Sequence, residues 1–326
     1  MKQLQSVAAI MLVFILLAGC ASQQPASILD TKPKIGIMLS DAGLGDQSFS
    51  DSAFKGLEKA RNEGKIFFDY RELKDAGTYE KGLTDLVESG NDLIIALGFM
   101  EQEDLEKVAK KYSNKKFILI DAVSELKNVT SITFKENQGS FLAGVAAALV
   151  TKTNTIGFIG GDDVPLIHKF ADGFEHGIKA VNPAIKINKQ YAGNFGDDKL
   201  GADLAEKMIK DRADVIYAAA GFTGVGALKK AQENHVYAIG VDTDQYFYAE
   251  KAVFTSMVKN VDSAIYDVIK NFADTGKLPE GHIELGLDKD GVGLAPIRII
   301  ELSPEQKRII EQWTGKVKNG EAEAGQ

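Results

Sequence analysis

Gly36-Ile-Met-Leu-Ser-Asp-Ala-Gly-Leu-Gly-Asp-Gln-Ser-Phe-Ser50, continued by Asp51-Ser-Ala-Phe-Lys-Gly-Leu-Glu-Lys-Ala60, is the most informative stretch of the chain. Ile35 to Leu39 is a short apolar run that stops at Ser40-Asp41. A loop with Gly43 and Gly45 follows. Phe49, Ala53, Phe54, Leu57 and Ala60 then recur at helical spacing. Strand, loop and helix in that order form a βα unit. Its loop lies at the carboxyl end of the strand, where open α/β sheets bind ligands. The loop carries carboxylates (Asp41, Asp46), hydroxyls (Ser48, Ser50) and a ring (Phe49), a set suited to hydroxyl groups and a flat ring. It does not suit phosphate, because no Lys-Ser/Thr pair follows the glycines and two carboxylates repel an anion.

The same alternation continues outward. Strands are predicted at Ile66–Tyr70, Asp92–Gly98, Lys116–Asp121 and Val129–Phe134, with helices at Thr78–Glu88, Glu101–Tyr112 and Gly139–Val150. A second series begins at Thr155-Ile-Gly-Phe-Ile-Gly-Gly161. It runs through helix Leu166–Ala180, strand Ile185–Tyr191, helix Lys199–Arg212, strand Val215–Ala220, helix Val225–Glu233 and strand Tyr237–Val241. Strand Val253–Val258, helix Ser263–Thr275, strand His282–Leu287 and helix Pro304–Thr314 close the chain. Short links between alternating strands and helices are the signature of right-handed βαβ crossovers. The expected fold is α/β, with two doubly wound, Rossmann-like lobes and a ligand cleft between them. The first lobe is expected to take 34–152 plus about 259–277, and the second 153–258 plus about 278–318. Residues 319–326 are polar and read as a frayed tail.

The chain has 326 residues, of which 44% are hydrophobic and 26% charged, so it can build two packed lobes. Its net charge of −8 gives no general attraction to nucleic acid or anionic lipid. Residues 1–19 read as a signal peptide whose apolar core, Val7 to Leu17, is too short to span a bilayer. The sole cysteine, Cys20, ends Leu17-Ala-Gly-Cys20, which reads as a lipidation site. Residues 20–33 read as a lipidated tether. The expected location is the extracytoplasmic face of the cell membrane, through a lipid anchor. One cysteine and four scattered histidines argue against a structural metal site. No nucleophile elbow, reactive cysteine or His–carboxylate pair is readable, so no catalytic residue, metal or cofactor is expected. No helix-turn-helix precedes the first strand, and no interface helix stands out, so a monomer without nucleic-acid partners is expected.

The candidate site residues each carry two readings. Asp41 either accepts hydrogen bonds from a ligand or caps the following helix. Phe49 either stacks on a ring or fills the core of that helix. Asp121 ends a buried strand and either caps a turn or faces a cleft. Tyr217 and Gly221 lie in Asp214-Val-Ile-Tyr-Ala-Ala-Ala-Gly-Phe-Thr-Gly224. There a ring and glycines could receive a ligand closely, or could form a plain strand-to-helix turn. Asp242 and Asp244 form an i, i+2 pair better suited to sugar hydroxyls than to a metal. Lys259 ends a strand and is either a ligand contact or solvated surface.

Several segments, behind the lipidation motif, together resemble the basic membrane protein family of bacterial lipoproteins. They are Ser40-Asp-Ala-Gly43, Asp46-Gln-Ser-Phe49, Ile120-Asp-Ala-Val123, Glu136-Asn-Gln-Gly-Ser-Phe-Leu-Ala-Gly-Val-Ala-Ala-Ala148, Gly173-Phe-Glu-His-Gly177, Ala220-Gly-Phe-Thr-Gly224, Gly240-Val-Asp-Thr-Asp-Gln245 and Thr255-Ser-Met-Val-Lys259. The resemblance covers roughly Lys34 to Pro296. It implies a type I periplasmic-binding-protein fold and a substrate-binding lipoprotein of an ABC importer, with a permease and ATPase as partners. The implied ligand is a purine nucleoside of the adenosine, guanosine or inosine type. By motif position, Phe49 and Tyr217 sandwich the base, Asp41 meets its edge, and Asp121, Asp244 and Lys259 bind ribose hydroxyls. Phe222 stands where glycine is usual, and Tyr217 where phenylalanine is usual. One branch of the family resembles a competence regulator, so a regulatory surface lipoprotein on the same fold is the competing reading.

Overall fold

A computed structural model describes residues 32–325, and Pro33 onward forms one compact unit. The signal, Cys20 and nearly all of the tether expected from the sequence lie outside the described residues.

The first sheet has the order β11-β5-β4-β3-β1-β2, from β1 (Lys34–Met38), β2 (Phe67–Arg71), β3 (Leu93–Leu97), β4 (Lys116–Ile120), β5 (Val129–Phe134) and β11 (His282–Leu285). All its pairings are parallel. The second has the order β12-β10-β9-β8-β6-β7, from β6 (Thr155–Gly160), β7 (Lys186–Tyr191), β8 (Val215–Ala219), β9 (Tyr237–Asp242), β10 (Val253–Lys259) and β12 (Val292–Leu294). It is parallel except for β12, which runs antiparallel to β10. Central strands such as Leu93–Leu97 are buried along their whole length, as strands covered by helices on both faces must be. Helices α1 (Phe49–Asn62), α2 (Tyr79–Glu88) and α3 (Gln102–Lys111) belong to the first lobe. Helices α4 (Glu136–Val150), α5 (Pro165–Val181), α6 (Asp198–Lys210) and α7 (Gly221–Glu233) belong to the second, and α8 (Val261–Thr275) and α9 (Pro304–Lys318) follow.

The chain passes between sheets at Lys135, at Asn260 and again between Gly286 and Gly291. This places two boundaries differently from the sequence reading. Helix α4 was expected in the first lobe, yet it packs on α5, β10 and β12 of the second. It is apolar around most of its circumference, and a helix of that kind needs neighbours on several sides. Its contact with α5 is backbone-close: a Cβ on Gly144 would lie 2.1 Å from the Phe174 carbonyl, and one on Gly177 would lie 1.9 Å from that of Phe141. Strand β11 was expected in the second lobe, yet it pairs with Ser131–Phe134 at the edge of the first sheet. The segments that cross are tied together, with Asn260 donating its N–H to the Gly291 carbonyl at 2.9 Å. As far as Gly325, the polar tail is packed rather than frayed. Ala324 is buried, and Gly325 accepts a bond from Asn137 Nδ2 at 2.6 Å.

Candidate functional site

The carboxyl ends of both sheets line a narrow cleft with a cavity of about 70 Å³. The loop before α1 forms one wall. Side-chain carboxylates satisfy much of its backbone. Asp46 accepts the N–H groups of Ser48 (2.9 Å), Ser50 (2.7 Å) and Asp51 (3.1 Å). Asp51 accepts those of Gly45 and Gln47 at 2.8 and 2.9 Å, and Glu72 that of Leu44 at 2.9 Å. Asp46, rather than Asp41, therefore caps the helix. Burial pushes its carboxyl up to about 6 against those three bonds. Asp41 is left free to line the cleft, where burial again raises its carboxyl and Asp162 adds to the shift.

Four rings line the chamber: Phe49, Phe99, Phe170 and Phe195. Beside them lies a charged cluster. Lys259 is buried, and its Nζ stands 2.6 Å from Asp121 Oδ2 and 3.1 Å from Glu136 Oε1. The ammonium sits 5.0 Å from the centres of both the Phe49 and Phe134 rings. Burial pulls the lysine pKa down, but the carboxylates of Asp121, Glu136 and Asp242 outweigh it and leave it above the ordinary value. Asp121 and Asp242 occupy matching positions at the ends of β4 and β9, both with left-handed backbone (φ +66° and +62°). That turn aims both carboxylates into the cleft. The lobes meet at its rim, where the Ser48 hydroxyl donates to Asp242 and Gln245 Nε2 donates to the Gln47 carbonyl at 3.0 Å.

The family described as "ABC transporter substrate-binding protein PnrA-like", Bmp, matches residues 33–325. The chain belongs to the Bmp family. That is a family of substrate-binding proteins of ABC transporters, not of enzymes. The "ABC transporter nucleoside-binding protein BmpA" of Lactococcus lactis subsp. cremoris (strain MG1363) is 33% identical over 92% of this chain and 97% of its own. "Basic membrane protein D" of Borreliella burgdorferi (strain JD1) is 33% identical over 87% of this chain and 84% of its own. A solved ABC solute-binding protein from Aeropyrum pernix K1 matches with a TM-score of 0.82 and 28% identity, covering 89% of this chain and 92% of its own. The type I periplasmic-binding fold expected from the sequence is the fold found.

Within this Bmp-family cleft, Asp41, Phe49, Asp121, Gly221 and Lys259 all line the cavity, and the surface alternative for Lys259 falls away. Two sequence expectations need correction. Tyr217 does not line the cleft. It points from β8 into the core between Phe158 and Phe174, and its hydroxyl pairs with that of Ser140 at 3.0 Å. It lies two residues inside the strand end, one full pleat below Ala219, which does line the cavity. Phe195 supplies a ring on this wall instead. It follows β7 at a strand's carboxyl end, the same signal that singles out Phe49. Asp244 also lies off the cavity wall. It turns outward to Arg298 Nη2 at 2.7 Å, while Asp242 faces inward. Arg298 lies 54 residues on, so sequence spacing could not show which carboxylate it would claim. Phe222, which stands where glycine is usual in the family, is absent from the lining.

Proposed function

We propose that this chain binds a purine nucleoside between its lobes as the substrate-binding component of an ABC importer. The observation that supports this reading is the division of the cleft. Four aromatic rings suit a flat base, and a buried Asp121–Lys259–Asp242 group beside them suits ribose hydroxyls. A carboxylate accepts two hydroxyl donors, and an ammonium donates to hydroxyl oxygens, so the set matches a vicinal diol. Asp41 lies apart from that group and would meet the base edge. Gly221, with φ +54° at the start of α7, would let the ligand approach the backbone. The carboxylate-rich wall disfavours phosphorylated ligands. Cys20 would carry the lipid that holds the protein on the extracytoplasmic face of the membrane, where a permease and its ATPase receive the ligand from a monomeric carrier.

The test is calorimetry on the chain from Ala21 onward with adenosine, guanosine, inosine, cytidine and ribose. Tight binding of purine nucleosides, with cytidine and ribose much weaker, is the expected result. Absence of heat with every purine nucleoside, from folded protein stripped of co-purified ligand, overturns the reading and favours the regulatory alternative.

A further inference from the structure

Glu136 has no role in the nucleoside reading, yet it is among the most completely buried acids in the described residues. It opens α4 directly after the chain leaves the first sheet. Its Oε1 lies 3.1 Å from Lys259 Nζ and its Oε2 3.7 Å from Lys169 Nζ, while neither oxygen receives an aligned hydrogen bond. The groups that face this cluster are Asp121 at the end of β4, Asp242 at the end of β9, Lys259 at the end of β10 and half-buried Lys169 on α5. Asp121 takes the shortest bond from the single buried ammonium. Asp121 and Glu136 therefore pair with one buried cation that Asp242 also faces, and half-exposed Lys169 is the other cation near them, an arrangement that is costly unless one acid is neutral.

The cluster is split between lobes. Glu136, Asp242 and Lys259 belong to the second lobe and Asp121 to the first. With the lobes apart, Asp121 would leave the cluster, water would enter, and Glu136 would be the acid left within 4 Å of the ammonium. We propose that Glu136 is a positioning residue which takes up one proton as the lobes close on the ligand, releasing Lys259 to Asp121 and the ligand. The proton comes from bulk buffer, and no other bond forms or breaks. The inference rests on the nucleoside reading for its ligand. Burial raises the Glu136 carboxyl, Lys259 pulls it back and Asp121 adds to the rise. A group whose pKa is higher in the closed form favours closure at low pH. Affinity therefore falls as pH rises from the ordinary glutamate value through the closed-state value, by up to about tenfold per pH unit.

The experiment is calorimetry of inosine binding to the chain from Ala21 onward, at about pH 6, above the ordinary glutamate value, in buffers of different ionisation heat. The dependence of measured heat on buffer heat counts protons taken up. The wild type is expected to take up more protons per ligand than Glu136→Gln. Equal uptake in the two proteins overturns the proposal. Lys169→Met, altered at a half-exposed position, gives a second reading: uptake persists to higher pH than in the wild type, and unchanged uptake counts against Glu136. Small-angle scattering of the ligand-free chain needs no nucleoside. The wild type is expected to grow more compact as pH falls and Glu136→Gln to lack that response, and identical behaviour refutes the proposal. Failure of inosine and its relatives to bind the wild type sinks the nucleoside reading alone.

Discussion

Asp242→Asn and Asp244→Asn provide the sharpest test of the site. The two carboxylates are two residues apart, and only Asp242 lines the cleft. Asparagine keeps the size of either side chain and removes its charge. At position 242 its Oδ1 can still accept the Ser48 hydroxyl that joins the lobes, so closure keeps that contact. What is lost is a charged acceptor in a buried site, where a hydrogen bond to a charged group contributes about 1.5–3 kcal/mol. This corresponds to a loss of about 10- to 150-fold in nucleoside affinity. At position 244 the change breaks a half-exposed pair with Arg298. Such pairs contribute about 0–1 kcal/mol to stability, and the side chain is off the cavity wall, so affinity should hold within about threefold. Calorimetric titration of both variants, with chemical denaturation to confirm folding, measures the two effects separately. A large affinity loss in Asp244→Asn with little change in Asp242→Asn refutes the assignment of the inward carboxylate.

Phe195→Ala should weaken nucleoside binding about 5- to 150-fold, from about 1–3 kcal/mol of lost base stacking. Tyr217→Phe should leave affinity unchanged and cost about 1–3 kcal/mol of stability, because it strands the buried Ser140 hydroxyl; the reverse pattern in titration and urea melts would restore Tyr217 to the site. Asp46 has a folded-state value near 6, above its ordinary value of 3.8. Its contribution to stability is therefore fully present below about pH 4 and is lost as pH rises through about 6. Urea denaturation from acid to neutral pH should show this decline in the wild type and not in Asp46→Asn. Gly177→Ala forces a Cβ to 1.9 Å from the Phe141 carbonyl. It should cost at least about 1–3 kcal/mol, because the contact is with backbone rather than a flexible side chain, and a thermal melt should fall by several degrees.

Local physics made much of this protein legible from its sequence. Apolar runs such as Leu93–Leu97, covered on both faces, announce parallel strands without any partner in view. Helical spacing after Ser48 and the glycines between Ser40 and Phe49 mark the βα loop that became a cleft wall. The rule that ligands meet strand ends picked out Asp41, Phe49, Asp121 and Lys259, because strand ends are visible along the chain. What depends on distant partners was not visible. The crossing at Lys135 follows from a helix whose apolar faces match α5 rather than the sheet just built, and β11 returns to the first sheet 148 residues after β5 ends, since Phe134 pairs with Leu285 only in space (register Leu285↔Phe134). Asp242 and Asp244 have the same chemistry in sequence. A left-handed turn aims one inward and Arg298 draws the other out. Tyr217 could be a cleft ring by type, but strand depth set it one pleat too low. Sequence pattern determined which elements form and where ligand-facing loops lie, because both follow from neighbouring residues. Tertiary structure alone decided which side chains on those loops meet, because burial and charge pairing are settled by chains that come together from far apart.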